Sequence, residues 1–175
     1  IAVNDSVSYS FDDVINKYNL SGSVLDLGCG NCKTLLSISD KFSELHGVDI
    51  LDILSPEAQT KVNFSSADLN FEKLPYGNSS MELVTALQII EHLENPFFLA
   101  REVARVLRPG GIFVFSVPNP FNLAFRLKFL LTGNMPPWTE KNHHLLFLTN
   151  DVFKKTYLAQ YVLLILQYLF LALEL

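Results

Sequence analysis

Leu25-Asp26-Leu27-Gly28-Cys29-Gly30-Asn31 is the stretch on which the reading of this chain turns. Val24 to Leu27 is a short apolar run of the kind that forms a strand buried on both faces, and it leads straight into two glycines. Glycine at a strand-to-helix turn lets the backbone pass close to a ligand, and the helix beyond it offers unpaired N–H groups in its first turn. Asp49 lies about twenty residues downstream, at the end of the next apolar run, where a carboxylate accepts from both hydroxyls of a ribose. A glycine pair with an acid at this spacing points to a nucleoside.

Two residues narrow the choice of nucleoside. A dinucleotide-binding turn requires glycine where this chain has Lys33. Asp26, just ahead of the glycines, would repel a pyrophosphate but suits a ligand that carries an ammonium group.

Outward from this turn the chain alternates short apolar runs with amphipathic ones, the pattern of βαβ units and a mostly parallel sheet. Before it, a helix is expected over Phe11 to Tyr18, closed by the break at Ser21-Gly22-Ser23. After it come a helix from Cys32 to about Phe42, a second strand over His46 to Ile50, a third over Lys61 to Ser65 with Ala67-Asp68-Leu69 beyond, and a fourth over Glu82 to Ala86. Asn95 then caps a helix with Pro96 in its first position, and Leu99, Val103, Val106 and Leu107 share one face of it. Pro109-Gly110-Gly111 is read as a stop and a turn into a fifth strand, Ile112 to Val117, ended by Pro118-Asn119-Pro120. From Phe121 to Trp138 the sequence is apolar and loosely patterned, and Thr149, Asn150 or Asp151 can cap a late helix through about Leu158.

Leu25-Asp-Leu-Gly-Cys-Gly resembles the first motif of class I S-adenosylmethionine-dependent methyltransferases. Glu91-His92 and Arg105-Val-Leu-Arg-Pro-Gly-Gly match later landmarks of that family in order, so the likeness covers roughly Val24 to Val117 and, more loosely, Asn142 to Thr156. It looks closest to the small-molecule branch related to ubiquinone- and methionine-biosynthesis methyltransferases. The resemblance implies a Rossmann-like, doubly wound α/β sheet with helices on both faces. It implies S-adenosylmethionine as cofactor, with Asp26 and the Gly28-Cys29-Gly30 backbone on the methionine moiety. Asp49 would take the ribose, Ile50 the adenine face, and Asp68 with the Leu69 backbone the adenine edge. Leu87 and Gln88 would line the methionine arm.

The chain departs from the family in three places. Cys32 stands where a third glycine is usual, and cysteine is small enough to keep the site. The quinone-methylating branch reads Glu-x-x-Glu-His after the fourth strand, a metal-site pattern; here Gln88-Ile-Ile-Glu91-His92 lacks one carboxylate, so no bound metal is expected. No glycine follows Gly133, so the family's closing antiparallel hairpin is altered, truncated or replaced.

For general-base work the candidates are His144 and His143, which as neighbours cannot share one face of a strand, and His92, whose ordinary role is a hydrogen bond to backbone. The segment from about 121 to 142, with Arg126 and Lys128 in it, reads as a lid within a single domain spanning 1–175 and hints at a small-molecule or lipophilic acceptor.

Composition bounds the partners. A net charge of −5 and the absence of a Lys/Arg cluster argue against nucleic acid. The first residue is Ile1, read as a processed or trimmed start, and with no signal-peptide pattern the cytoplasm is the expected compartment. Thr156 to Leu173 carries no charge and reaches the length of a membrane span, but its Tyr and Gln residues favour a helix end followed by one or two interior strands. Cys29-Gly-Asn-Cys32 admits a rival reading as a thioredoxin-like dithiol, which leaves Asp26 and the later landmarks unexplained. A relative of the fold that binds a nucleoside or a partner without catalysis is a third possibility.

Overall fold

A computed structural model of the chain describes residues 11–118, 122–136, 138 and 143–146, together with the backbone of 164–166. Its centre is a parallel sheet of six strands in the order β3-β2-β1-β4-β5-β6. The strands are β1 (Ser23–Leu27), β2 (Glu44–Asp49), β3 (Asn63–Ser66), β4 (Met81–Leu87), β5 (Leu107–Ser116) and β6 (Leu164–Leu166). The chain winds outward from β1 to β3, then crosses back to β4, which pairs with the other edge of β1. This places the switch point of the sheet between β1 and β4.

Side chains alternate along each strand, so the sheet has two apolar faces and two cores. Leu25, Leu27, Val84, Ala86, Phe113 and Phe115 join Leu99, Val103 and Val106 of α4 (Pro96–Val106) in one. Val24, Leu83, Ile112 and Val114 join Val14 and Ile15 of α1 (Phe11–Tyr18) and Leu35 of α2 (Lys33–Ser37) in the other. Helices therefore cover both faces, which is why the inner strands carry apolar residues on both faces rather than alternating. The doubly wound α/β fold is as expected.

Several boundaries differ. α2 stops at Ser37 instead of reaching Phe42, and the hydroxyls of Ser37 and Ser39 donate to the carbonyls of Thr34 and Leu36, competing with the helical ladder. Residues 107–111 are part of β5 and not a turn before it: Leu107 pairs with Met81, the register shifts, and Ile112 resumes against Leu83. Gly110, at φ 80°, supplies the irregular conformation inside this strand. Two helices were not anticipated: α3 (Ala58–Lys61) and α5 (Leu123–Thr132), the latter capped by the Asn122 side chain and closed by Gly133 at φ 72°. The apolar residues of α5 are spread round the helix with Arg126 and Lys128 among them, and none is buried, so periodicity could not reveal it.

At the C-terminus, β6 lies parallel beside β5. The expected late helix, from Thr149, Asn150 or Asp151 to Leu158, lies outside the described residues, as does most of the uncharged run from Thr156 to Leu173. Among the described residues no helix is long and apolar enough to cross a membrane.

Candidate functional site

The loop after β1 is shaped by its glycines and held by β2. Gly28 and Cys29 both donate their amides to the Val48 carbonyl, at 2.8 and 3.1 Å. Gly28 sits at φ 70°, and a Cβ there would meet Ile89 Cγ1 at 2.7 Å, so only glycine allows the β1 and β4 loops to close on each other at the switch point. Gly30, at φ 53°, faces open space among the described residues: a Cβ there would meet none of them within 4 Å. Cys32, the residue at the family's third glycine position, adopts φ 61° as the N-cap of α2, a conformation that glycine reaches without strain.

Asp26, near the end of β1, lies in register with Thr85 of β4, whose hydroxyl donates to Asp26 Oδ1 at 2.5 Å. The carboxyl is buried at 4 % exposure. Burial pushes its pKa up to about 6 against the opposing hydrogen bond from Thr85, and the nearby Asp49 adds to the rise. An uncompensated carboxylate at the switch point is a poor neighbour for phosphate and a good one for an ammonium group.

Asp49 ends β2 and accepts the Gly30 amide at Oδ2 (2.8 Å) and the Leu51 amide at Oδ1 (3.2 Å). It thus ties the glycine loop to the next strand end. Ile50 beside it is 62 % exposed and offers an apolar surface. Asp68 lies beyond β3 in a turn of its own: its Oδ1 accepts from the Asn70 amide and side chain, and its own amide donates to Glu72. Leu69 is buried. Leu87 ends β4, and Gln88 follows at φ 54°, pinned by its amide and its side chain to Ser116 Oγ of β5, both at 3.1 Å.

The two cysteines do not have the environment of a working dithiol. Both are free and buried, and burial pushes both thiols upward in pKa, where a redox site would need a depressed one. Their sulfurs pack against Gly47 of β2, where a Cβ would meet Cys29 Sγ at 2.8 Å and Cys32 Sγ at 3.1 Å. They fill the space behind the loop.

The histidines separate. His92 belongs to a single 3₁₀ turn, Ile90–His92, just after β4, and its Nδ1 donates to the His143 carbonyl at 3.2 Å. His144 lies edge-on to the His92 ring, 4.7 Å between centroids, with Trp138 at 6.1 Å on another side. The His143 side chain is exposed. Of the adjacent pair, it is His144 that comes to the carboxyl end of β4.

Some residues of the site had no signal in the sequence: Thr85 and Ser116 look like ordinary strand residues, yet they fix Asp26 and Gln88. Asn70 accepts the Glu94 and Asn95 amides and so fixes the approach to α4. Glu91, a family landmark and the one carboxylate kept of the Glu-x-x-Glu-His pattern, is 1 % exposed, and neither carboxylate oxygen has a hydrogen-bond partner among the described residues.

Comparison with known proteins agrees with this fold. Residues 25–115 match the family profile described as a methyltransferase domain. A probable S-adenosylmethionine-dependent methyltransferase of Mycolicibacterium smegmatis is 33% identical over 55% of this chain and 38% of its own length. A ubiquinone biosynthesis O-methyltransferase of Idiomarina loihiensis is 24% identical over 69% of this chain and 52% of its own. Among solved structures, an S-adenosylmethionine-dependent methyltransferase of Mesorhizobium loti superposes with a TM-score of 0.50 at 25% identity, over 58% of this chain and 50% of that one. The chain thus spans about half, or less, of the length of these relatives.

Proposed function

This chain belongs to the methyltransferase domain family, and on that premise we propose that it binds S-adenosylmethionine across the carboxyl ends of β1 to β4 and transfers the methyl group to a small-molecule or lipophilic acceptor. The observation that carries the cofactor reading is the buried Asp26 carboxylate at the switch point, held by Thr85 beside a loop that is open at Gly30. A cationic amino group there supplies the countercharge that the carboxylate lacks. Asp49, with its adjoining exposed Ile50, fits the ribose and one adenine face, while Asp68 and Leu69 serve the adenine edge, and Leu87 and Gln88 flank the methionine arm.

The cofactor supplies a methyl group already activated on a sulfonium. The acceptor's lone pair forms the new bond to carbon as the carbon–sulfur bond breaks, and that pair stays on sulfur. The protein's part is alignment and exclusion of water. Where the acceptor must lose a proton, His144 and His92 stand closest to the end of β4 and are the residues to receive it, with the exposed His143 a weaker candidate. We take residues 1–175 as one such domain with 121–142 as its lid, and the free thiols fit a cytoplasmic setting.

Calorimetric titration with S-adenosylmethionine, its demethylated product and NAD tests the reading. Binding of the first two at an affinity on the order of micromolar, and none by NAD, is expected. Tighter binding of NAD would overturn it.

A further inference from the structure

The chain's 3₁₀ turn and the segment at 143–146 are brought together by the backbone. The Leu145 and Leu146 amides donate to the Glu91 carbonyl, at 2.7 and 3.2 Å, and this sets His144 beside Glu91 and His92. One carboxylate oxygen of Glu91 and one ring nitrogen from each of His92 and His144 lie within 4.8 Å of one another. Such atoms around a first-row metal ion stand about 3.4 Å apart, from bond lengths of about 2.1 Å, so the set has to close by at most about 1.4 Å.

Two independent features of this cluster fit a cation. The Glu91 carboxylate is 1 % exposed and has no hydrogen-bond donor among the described residues, a burial that is costly for an ionised group unless a cation compensates it. His92 is already oriented as a ligand: a carbonyl can only accept, so Nδ1 carries the proton given to the His143 carbonyl, and the Nε2 lone pair is left for an ion. We propose that Glu91, His92 and His144 form a divalent transition-metal site with positions left open. Two imidazoles and one carboxylate suit Zn²⁺, Co²⁺ or Fe²⁺ and disfavour Mg²⁺ and Ca²⁺, which take oxygen donors. This ligand set does not use position 88, where glutamine replaced the expected carboxylate; the fold supplies His144 from beyond the lid instead. Open positions at the end of β4 would take an acceptor oxygen and acidify it, its proton leaving to water, so that with the ion bound His92 and His144 serve as ligands and not as the base; that use rests on the methyl-transfer reading, whereas ion binding does not.

The test is titration of the metal-free protein with Co²⁺ alone, followed by visible d–d absorption, without any S-adenosylmethionine. One equivalent should bind, Zn²⁺ should displace it, and excess Mg²⁺ should not. Glu91→Gln keeps the shape and should weaken Co²⁺ by roughly 10–100-fold or more while leaving S-adenosylmethionine binding in place. Should that variant fail to fold, as judged by circular dichroism, His144→Ala at a half-buried position carries the same expectation. Absence of Co²⁺ binding, affinity unchanged in the variants, or a near-ultraviolet sulfur-to-cobalt band marking Cys29 and Cys32 as the ligands would each overturn the site. Failure of S-adenosylmethionine to bind a protein that still takes up Co²⁺ would overturn the methyl-transfer reading and spare the metal.

Discussion

Asp26 and Thr85 face each other in register across β1 and β4, and the hydroxyl–carboxylate bond between them, at 2.5 Å, is buried at the point where the sheet reverses its winding. One neutral donor does not compensate a buried carboxylate, which is why the carboxyl's pKa rises from 3.8 to about 6.

The pH dependence follows with a definite sign. A carboxyl whose folded pKa lies above its unfolded value binds more protons in the native state between the two, so stability from this group falls as pH rises from about 4 to about 6. Above that window the ligand-free protein carries a cost of about 3 kcal/mol from Asp26. Asp26→Asn removes the titration and should be more stable than the parent at pH 7.5, with the difference shrinking toward pH 4; chemical denaturation at both pH values measures it. Binding runs the opposite way. A cationic ligand prefers the ionised carboxyl, so S-adenosylmethionine affinity should weaken as pH falls through about 6, and the Asn variant should lose that dependence together with most of its affinity.

The ribose clamp is tested at Asp49. Asp49→Ala should weaken S-adenosylmethionine binding by roughly 1.5–3 kcal/mol, the range of a hydrogen bond to a charged group. Part of that loss reflects the loop, because Asp49 also accepts the Gly30 amide. Asp49→Asn keeps an acceptor for that amide and separates the two contributions. An unchanged dissociation constant in both variants would move the ribose elsewhere.

Much of the candidate site was legible because its chemistry lies in residue types that strands rarely tolerate. Glycines at a strand end and acids at two others stand out against apolar runs, and they located the loop, Asp26, Asp49 and the sheet's parallel winding. What stayed hidden was of two kinds. Thr85, Ser116 and Asn70 act through register and long-range hydrogen bonds, and nothing local marks a threonine that will lie opposite an aspartate sixty positions away. α5 was hidden because an unburied helix whose apolar residues are spread round it has no period to read, and the Glu91–His144 juxtaposition because it depends on how the chain returns after α5.

Glu82 is expected to matter for stability and not for the cofactor. Its buried carboxylate accepts the Ser21 and Gly22 amides, at 2.8 and 2.5 Å, and pairs with Arg108. It fastens the turn before β1 to the start of β4. Glu82→Ala strands two amides and should lower unfolding free energy by roughly 2–4 kcal/mol in a denaturant titration. The S-adenosylmethionine dissociation constant, measured below the new melting point, should stay within about twofold of the parent.

The cysteines should behave as packing, not as redox groups. With both thiols pushed upward by burial, alkylation near neutral pH should be slow, and bound S-adenosylmethionine should slow it further by stilling the loop. A cysteine that labels rapidly, with a thiolate pKa well below the free value of about 8.5 and indifferent to the cofactor, would overturn this.

The two loop glycines offer the sharpest contrast, because their surroundings differ while their backbones do not. Both lie at positive φ, 70° for Gly28 and 53° for Gly30, so alanine at either strains the backbone by about 1–2 kcal/mol. At Gly28 the added methyl also meets Ile89 Cγ1 at 2.7 Å and forces the β4 loop outward. Gly28→Ala should therefore lose more stability than backbone strain alone explains, and cofactor binding should fall because the switch point opens. At Gly30 the methyl meets none of the described residues within 4 Å, so the stability loss should stay near the backbone cost. Yet the open space there is where the methionine end of the ligand is expected to lie against the chain, and the Gly30→Ala methyl would occupy it. S-adenosylmethionine affinity should then drop by at least tenfold, about 1.4 kcal/mol, in a protein whose melting temperature is only modestly lowered. Equal affinities for the parent and Gly30→Ala would mean that the ligand does not pass over this loop, whatever else the fold binds.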